Sequence, residues 1–109
     1  MEYKIDRIKK AVRGLAIKNN ADLAIIFGSY ARGTNTRHSD LDVFFVENTK
    51  KPFLKRLDRY FNPLSEMMKG GVDVFVYTPG EFENIKNKPF IKRAIEEGEV
   101  VFESGRLHK

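Results

Sequence analysis

Apolar positions recur along the chain with two different spacings, and each spacing predicts a different element. Residues 2–19 carry apolar side chains three or four positions apart, such as Ile5 and Ile8, with basic residues between them. This spacing predicts an amphipathic helix. The continuous run LAIIF at 23–27 predicts a buried strand, because it is short and is followed by a Gly-Ser pair.

The rest of the chain alternates between predicted helices and strands. A short helical turn at 30–33 is expected to lead into a loop at 34–39, which is rich in Asn, Thr and Ser. The remaining strands are expected at 41–46, 72–77 and 99–103, and the remaining helices at 53–64, from 79 onward and at 89–97.

Proline, glycine and threonine set several of the expected helix ends. Pro63 is expected to limit how far the middle helix runs, because proline cannot donate a helical hydrogen bond. Thr78-Pro79-Gly80-Glu81 has the form of a capping box with proline at the first helical position. Gly98 is expected to end the last helix.

The order of these elements predicts the fold class. The connection between the second and third strands is long enough for a helical crossover, so those strands are expected to be parallel. We predict an α/β (α+β) fold, in which helices pack against a mixed sheet of about four strands. No repeat or linker divides the sequence, so residues 1–109 are expected to form a single domain.

Composition narrows the class of protein further. The 109 residues contain 20 Lys and Arg against 15 Asp and Glu, a net charge of +5 that indicates either a mixed-charge surface or phosphate-bearing partners. The chain has no cysteine, which excludes disulfides and thiol chemistry and fits a reducing compartment. No apolar run approaches the roughly 20 residues of a membrane span, so we expect a cytoplasmic protein without membrane contact.

Three aspartates carry the candidate chemistry. Asp40 and Asp42 are two positions apart at the start of a predicted strand, so both are expected on one face. Asp73 interrupts an otherwise apolar strand, where aspartate is disfavoured. If the two strands are neighbours the carboxylates converge, and such a cluster calls for hard cations such as Mg²⁺, two of which would clamp a phosphoryl transfer.

Each feature also has an ordinary structural explanation. An Asp-x-Asp pair can be an exposed strand end, and Asp73 can be a solvent-facing residue of an edge strand. Gly28-Ser29 after the first strand permits a turn and offers an anion site at a helical turn, although most such pairs are simply turns. The occurrence of all these features in one chain is harder to explain unless the residues form a functional site.

The spacing of these residues resembles a known family. Gly28-Ser29, ten residues and Asp40-Leu41-Asp42 reproduce the G-S-x10-D-x-D signature of the nucleotidyltransferase superfamily that includes DNA polymerase β. The stretch GSYARGTNTRHSDLDVFFV resembles in particular the minimal nucleotidyltransferases, small domains often paired with a HEPN-domain protein. The resemblance extends over nearly the whole chain, from the leading helix to the closing segment FIKRAIEEGEVVFES.

The resemblance implies a role for each matching residue. Gly28 and Ser29 would hold the outer phosphates of a nucleotide, and Asp40 and Asp42 would bind Mg²⁺. Asp73 would help hold the metal and would orient or deprotonate the acceptor hydroxyl.

Two further positions are candidates for nucleotide binding. Arg32 matches the arginine of the family's G-S-x-A-R-G stretch and is expected to contact phosphate or to brace the loop, with bracing favoured. Ser39 is expected either to hydrogen-bond a carboxylate or to cap the loop, with the cap favoured.

The resemblance implies an antitoxin enzyme. It would transfer AMP from ATP to a tyrosine hydroxyl of a HEPN-domain toxin and form a hetero-oligomer with that partner, with nucleic acid not expected as direct substrate. The alternatives are a binding module that neutralises its partner by contact alone, a small-molecule nucleotidyltransferase and an RNA-directed enzyme.

The sequence predicts the roles of other polar and aromatic residues less specifically. Tyr30 is expected either to stack near the nucleotide or to pack under the helical turn, and His38 to be an exposed loop residue. The phenylalanines are expected mostly in the core. A basic cluster is expected on the solvated face of the middle helix, with acceptor phosphates or partner acids as the alternative contacts; it comprises Lys50, Lys51, Lys55, Arg56 and Arg59.

Overall fold

The computed structural model describes residues 2–68 and 70–108, and it orders helices and strands as the apolar spacings predict. Two short 3₁₀ turns, at Phe53–Arg56 and Arg106–His108, supplement the regular elements. The helices and strands are α1 Glu2–Lys18, β1 Leu23–Phe27, α2 Ser29–Arg32, β2 Leu41–Val46, α3 Asp58–Met67, β3 Val72–Tyr77, α4 Pro79–Ile85, α5 Pro89–Glu97 and β4 Glu99–Glu103.

The strands form one sheet in the order β3-β2-β1-β4. Strand β1 pairs antiparallel with both β2 and β4, whereas β2 and β3 are parallel neighbours. The predicted parallel pair is thus confirmed, and the 3₁₀ turn and α3 supply the crossover that connects it. The fold is an α+β fold with a mixed four-stranded sheet, as expected.

Each face of the sheet buries its own hydrophobic cluster, because strand side chains alternate between the two faces. On one face, α1 and α3 cover the strands through side chains such as Val12 and Tyr60. On the other face, Ala94 of α5 and Phe82 of α4 pack on a group that includes Phe44. This second face carries the side chains that continue toward Asp42.

The middle helix differs from the expectation at both ends. Its first turn is a separate 3₁₀ turn, and α3 continues through Pro63 to Met67. Burial explains why proline does not end it: Tyr60 and Leu64, on either side of Pro63, are both fully buried. Tyr60 also stacks on Phe45 with ring centroids 3.9 Å apart. This packing offsets the hydrogen bond that proline removes.

Gly98 ends the last helix, as expected from the sequence. Its backbone is extended rather than left-handed, at φ −84° and ψ 178°. A Cβ atom there would lie 2.3 Å from the carbonyl oxygen of Ala94 and 2.8 Å from atoms of Ile25 and Ile26. The residue must therefore be glycine because α5 runs closely over β1, not because of its dihedral angles.

The predicted capping box is confirmed at the start of α4. The Thr78 hydroxyl accepts from the Glu81 amide at 3.2 Å, and Glu81 accepts from the Thr78 amide at 2.9 Å. Arg56 of the 3₁₀ turn, which is buried, donates to both Glu81 carboxylate oxygens at 2.7 and 3.1 Å. The cap thereby joins α4 to the crossover.

Among the residues that the structure describes, no helix is both long and apolar enough to serve as a membrane span.

Candidate functional site

Two of the three aspartates lie side by side. Asp42 of β2 and Asp73 of β3 are register partners in the parallel pair, so their side chains leave the same face of the sheet at adjacent positions. Asp73 is exposed and Asp42 is half-buried. The juxtaposition on which the sequence hypothesis depends is therefore present.

The electrostatics of Asp42 show how closely the carboxyl groups approach. Burial, a side-chain hydrogen bond with Asp73 and the negative charges of Asp73 and Asp40 together raise the pKa of Asp42 to about 6. Arg32 acts in the opposite direction and lowers it. All of these causes except the charge of Arg32 disfavour the ionised form of Asp42.

Asp40 lies in the loop just before β2 and is exposed. The Gly71 amide donates to its Oδ1 at 3.2 Å, and a Cβ on Gly71 would lie only 2.5 Å from that oxygen. Asp40 therefore acts on Asp42 through charge while its own carboxylate contacts the turn before β3. Over residues 2–68 and 70–108, no set of three or more acidic or histidine side chains is arranged around a common ion position.

The donor chemistry of the acid pair fits a hard divalent cation. Asp42 and Asp73 offer only carboxylate oxygens, which are the ligands that Mg²⁺ prefers, and Mg²⁺ completes its shell with water and substrate phosphate. The raised pKa of Asp42 shows that its negative charge is poorly compensated by the protein itself. Asp42 and Asp73 would thus be the nearest ligands, whereas the expected convergence of all three carboxylates on one ion position is not found among the described residues.

Gly28 is required at its position by both conformation and contact. Its φ is +73°, a value that residues with a side chain rarely adopt. A Cβ atom there would lie 2.3 Å from Oδ2 of Asp42. The chain bends against the carboxylate, and this close approach fixes where the β1–α2 turn lies relative to the acid pair.

Ser29 begins α2, which is a single turn of four residues. The amides of a first helical turn have no acceptor within the helix, so they remain available for an anion. Tyr30 is buried in the core beneath this turn, which decides between the two readings of that residue in favour of packing.

Arg32 forms the predicted bracing contact. Its Nη1 lies 3.6 Å from Oε1 of Glu97 on α5, and half of its side chain is exposed. Arg32, Gly28 and Asp42 line a cleft of about 170 Å³ between α2 and α5. Because Asp42 is part of its lining, the cleft adjoins the acid pair.

Sequence reasoning missed two residues of this cleft. Phe90 and Arg93 of α5 also line it; Phe90 is 60% exposed, and Arg93 forms no ion pair with any described residue. Their spacing of three on one helix was the available signal, because it places both side chains on one face.

Ser39 and His38 belong to the loop before β2. The Ser39 hydroxyl accepts from the Thr36 amide at 2.8 Å, which is the capping contact favoured from the sequence. The His38 side chain is exposed, as expected. In this arrangement Ser39 supports the loop that presents Asp40, while its role toward a nucleotide stays a prediction.

The basic cluster divides into two kinds of residue. Arg56 is buried and paired with Glu81 at 2.7 Å, and Arg59 pairs with buried Glu47 at 2.8 Å. The lysines of the cluster, Lys50, Lys51 and Lys55, are exposed. The expectation of one solvated face was therefore wrong for the two arginines, which hold the crossover to neighbouring elements.

The comparisons with known proteins agree with this site. The family described as polymerase beta nucleotidyltransferase matches residues 9–106. The chain belongs to this family. It is accordingly a nucleotidyltransferase, and the acid pair with the Gly28 turn lies inside the matched region.

Relatives and solved structures extend this assignment. Two Methanocaldococcus jannaschii proteins are similar: "Putative protein adenylyltransferase MJ0128" is 33% identical over 92 residues (84% of this chain, 87% of that protein), and the identically described MJ0126 is 30% identical over 90 residues (83% and 85%).

Among solved structures, a toxin-antitoxin complex with AMP-PNP has a TM-score of 0.65 at 18% identity, covering 89% of this chain and 74% of that one. A nucleotidyltransferase structure from Sulfolobus solfataricus has a TM-score of 0.58 at 23% identity, covering 94% and 82%. At these identities the structures show the fold.

Proposed function

We propose that this nucleotidyltransferase is a Mg²⁺-dependent protein adenylyltransferase that acts in the cytoplasm as the antitoxin of a HEPN-domain toxin. It would transfer AMP from ATP to a tyrosine hydroxyl of that toxin. The single observation that carries the proposal is the alignment of Asp42 with Asp73 beside the Gly28 turn, because it joins an acid pair to a phosphate-sized cleft.

Each residue of the site has a defined task in this reaction. Gly28 and Ser29 would bind the β- and γ-phosphates through the turn amides and the serine hydroxyl, and Arg93 would add positive charge in the cleft. Asp40, Asp42 and Asp73 would hold Mg²⁺, which when bound neutralises charge that develops on the α-phosphate.

The transfer step balances without a further reagent. The tyrosine oxygen forms a bond to the α-phosphorus while the bond from that phosphorus to the bridging oxygen of the β-phosphate breaks, and pyrophosphate leaves. Asp73, the exposed member of the acid pair, accepts the tyrosine proton. Its exposure matters because a side chain of another protein must reach it.

Three findings support a protein acceptor. The relatives MJ0126 and MJ0128 are described as protein adenylyltransferases. A structure with the same fold comes from a toxin-antitoxin complex that contains an ATP analogue. The acid pair lies at an open end of the sheet, so a partner can approach it.

The test mixes the purified protein with a HEPN-domain toxin, Mg²⁺ and ATP labelled at the α-phosphate. We expect label on the toxin, and a mass increase of the toxin by one or more AMP units, which peptide mapping places on tyrosine. Asp73→Asn should abolish labelling, whereas Asp6→Asn, which changes an exposed acid of α1, should leave it intact.

Other results would replace the proposal. If no label appears and the wild-type and Asp73→Asn proteins neutralise the toxin equally, neutralisation by contact is correct. Label on a small molecule or an RNA instead would identify those acceptors. Labelling that persists without divalent cation would contradict the assignment of Mg²⁺ to the three aspartates.

A further inference from the structure

A second cavity lies on the other side of the loop that carries Asp40. Its volume is about 150 Å³, and it lies between the first half of α1, Tyr30 of α2 and the end of α3. Arg7 and Arg37 line it together with apolar side chains that include Met67 and Met68. None of its lining residues belongs to the cleft at Asp42.

The two arginines of this cavity differ from most other arginines of the chain. Neither Arg7 nor Arg37 forms an ion pair or a hydrogen bond with any residue within 2–68 and 70–108. The arginines with a carboxylate partner are Arg32, Arg56, Arg59 and Arg106. Two guanidinium groups on exposed residues from distant parts of the sequence therefore line one cavity, where their fork geometry suits an oxyanion.

The Tyr30 hydroxyl is a third polar group at the cavity. Tyr30 is only 9% exposed and lines the cavity, and its hydroxyl forms no hydrogen bond with a residue in the described part of the chain. The hydroxyl is not among the buried side-chain oxygen and nitrogen atoms that lack a partner, so it reaches solvent and can donate a hydrogen bond to a bound anion.

The size of the cavity limits the ligand. A cavity of about this volume in another protein accepts one benzene ring, so a whole nucleotide is too large whereas phosphate or pyrophosphate fits. Asp40 places negative charge near Tyr30, so an anion in the cavity needs the positive charges of Arg7 and Arg37 to offset it.

We infer that this cavity is a binding site for a small oxyanion of the phosphate class, held by Arg7, Arg37 and the Tyr30 hydroxyl. The site borders Gly70, whose neighbour Gly71 donates its amide to Asp40. Occupancy therefore contacts the turn that positions Asp40, although binding itself needs no ATP, Mg²⁺ or partner protein.

The test measures binding of inorganic phosphate and pyrophosphate to the full chain by calorimetry and by amide chemical shifts, at constant ionic strength with chloride as the reference. We expect saturable binding with shifts at residues 30, 37 and 70. Arg7→Gln and Arg37→Gln should each weaken it roughly tenfold or more. Tyr30→Phe should weaken it less, because it removes one neutral hydrogen bond.

Arg93→Gln is the matched control, because Arg93 also forms no ion pair with a described residue but lines the cleft at Asp42. It should leave phosphate binding at the second cavity unchanged. The inference is overturned if wild type shows no saturable binding, if the shifts map only to residues 28, 32 and 93, or if Arg7→Gln and Arg37→Gln bind as wild type does while their melting temperatures show them folded. None of these outcomes depends on adenylyl transfer.

Discussion

Asp42 occupies a position where the native backbone leaves almost no free space on one side. The chain bends at Gly28 against the Asp42 carboxylate. A methyl group on Gly28 would therefore have to displace either the turn or the carboxylate. The geometry of the carboxylate that we propose to be catalytic therefore depends on a residue that has no side chain. Substitutions of Gly28 and Gly33 distinguish the effect of the backbone conformation from the effect of the contact with Asp42.

Gly28→Ala is expected to reduce stability and to abolish transfer. At φ +73° and ψ −151°, the Gly28 backbone lies in a region that essentially only glycine adopts, so a Cβ costs about 1–3 kcal/mol, and the clash with Asp42 adds to that cost. Gly33→Ala is the control, since Gly33 has the similar φ of +75° but nothing within 4 Å of its Cβ position. Urea unfolding should show a loss in both variants, and labelling of the toxin should fail only in Gly28→Ala. Equal activities would contradict the role of the contact.

Asp42→Asn is expected to stabilise the metal-free protein while removing its activity. The substitution removes the cost of burying a charged carboxylate and ends the repulsion from Asp73 and Asp40, which together raise the pKa of Asp42. Because Asp42 is only half-buried and solvent screens these charges, we expect a gain of only about 0.5–1 kcal/mol. Transfer should fall about a thousandfold, since several kcal/mol of metal-assisted stabilisation are lost. Thermal melts in EDTA, with Asp6→Asn as the charge control, test the first part, and a lower melting temperature would refute it.

The sequence predicts the motif residues of the site, but it does not predict the other residues that line the cleft. The spacing of Gly28, Asp40 and Asp42 identifies the chemistry, and the alternating pattern assigns Asp42 and Asp73 to one face. Phe90 and Arg93 were not identified from the sequence, because their exposure depends on how α5 packs over β1. Helical spacing shows that two residues share a face without showing what that face contacts.

At the scale of elements, α4 depends on a side chain from another part of the chain. Glu81 completes the capping box and also receives both donated hydrogen bonds from buried Arg56. These interactions lower the pKa of Glu81, with the Arg56 hydrogen bond as the largest cause. The cap thus links helix formation to the crossover.

Glu81→Gln is expected to reduce stability by about 1–3 kcal/mol at neutral pH, because it leaves Arg56 without a charged partner. A lowered carboxyl pKa contributes stability that is complete above the unfolded-state pKa and is lost as pH falls through the folded-state value. The difference between wild type and variant should therefore be constant at neutral pH and shrink below about pH 4.5.

Glu83→Gln is the control for this experiment, because Glu83 forms only an exposed pair with Lys86. It should change stability by less than about 1 kcal/mol. A loss in Glu81→Gln that persists unchanged to pH 3 would show that charge is not the cause.

The ends of helices were predicted correctly where interactions between residues close in sequence determine them. Thr78 to Glu81 was predicted as a capping box because all its interactions lie within one turn. The end of α3 was misjudged at Pro63 because its constraint is tertiary, and the contact that requires glycine at position 98 is tertiary as well. The burial of Tyr60 and Leu64 carries α3 past the proline, and contact with β1 rather than a left-handed dihedral requires the glycine.

At the scale of the whole molecule, the sheet separates a functional end from a structural end. Asp42 pairs with Phe27 at the end of β1, whereas Asp22 precedes the start of that strand. Buried Asp22 accepts hydrogen bonds from Ser104 and Arg106, which tie the chain after β4 to this end. The parallel pair was predictable from connection length, but the order β3-β2-β1-β4 was not, because local sequence does not say which edges meet.

Asp22→Asn is expected to separate stability from activity. It removes a buried charged partner from Arg106 and should cost about 1–3 kcal/mol in urea unfolding. Labelling of the toxin at a temperature where both proteins are folded should be unchanged, since the substitution lies at the opposite end of β1 from Asp42. A large loss of transfer under those conditions would show that the two ends are coupled.

The parallel crossover also has a consequence for how the enzyme becomes competent. Strand β3 cannot pair with β2 until the connecting 3₁₀ turn and α3 have packed against the sheet. Such non-local pairing is slow compared with helix formation. An early intermediate that holds only local structure would lack the acid pair altogether. During refolding, catalytic competence should therefore return with the slowest phase rather than with the early rise in helical signal.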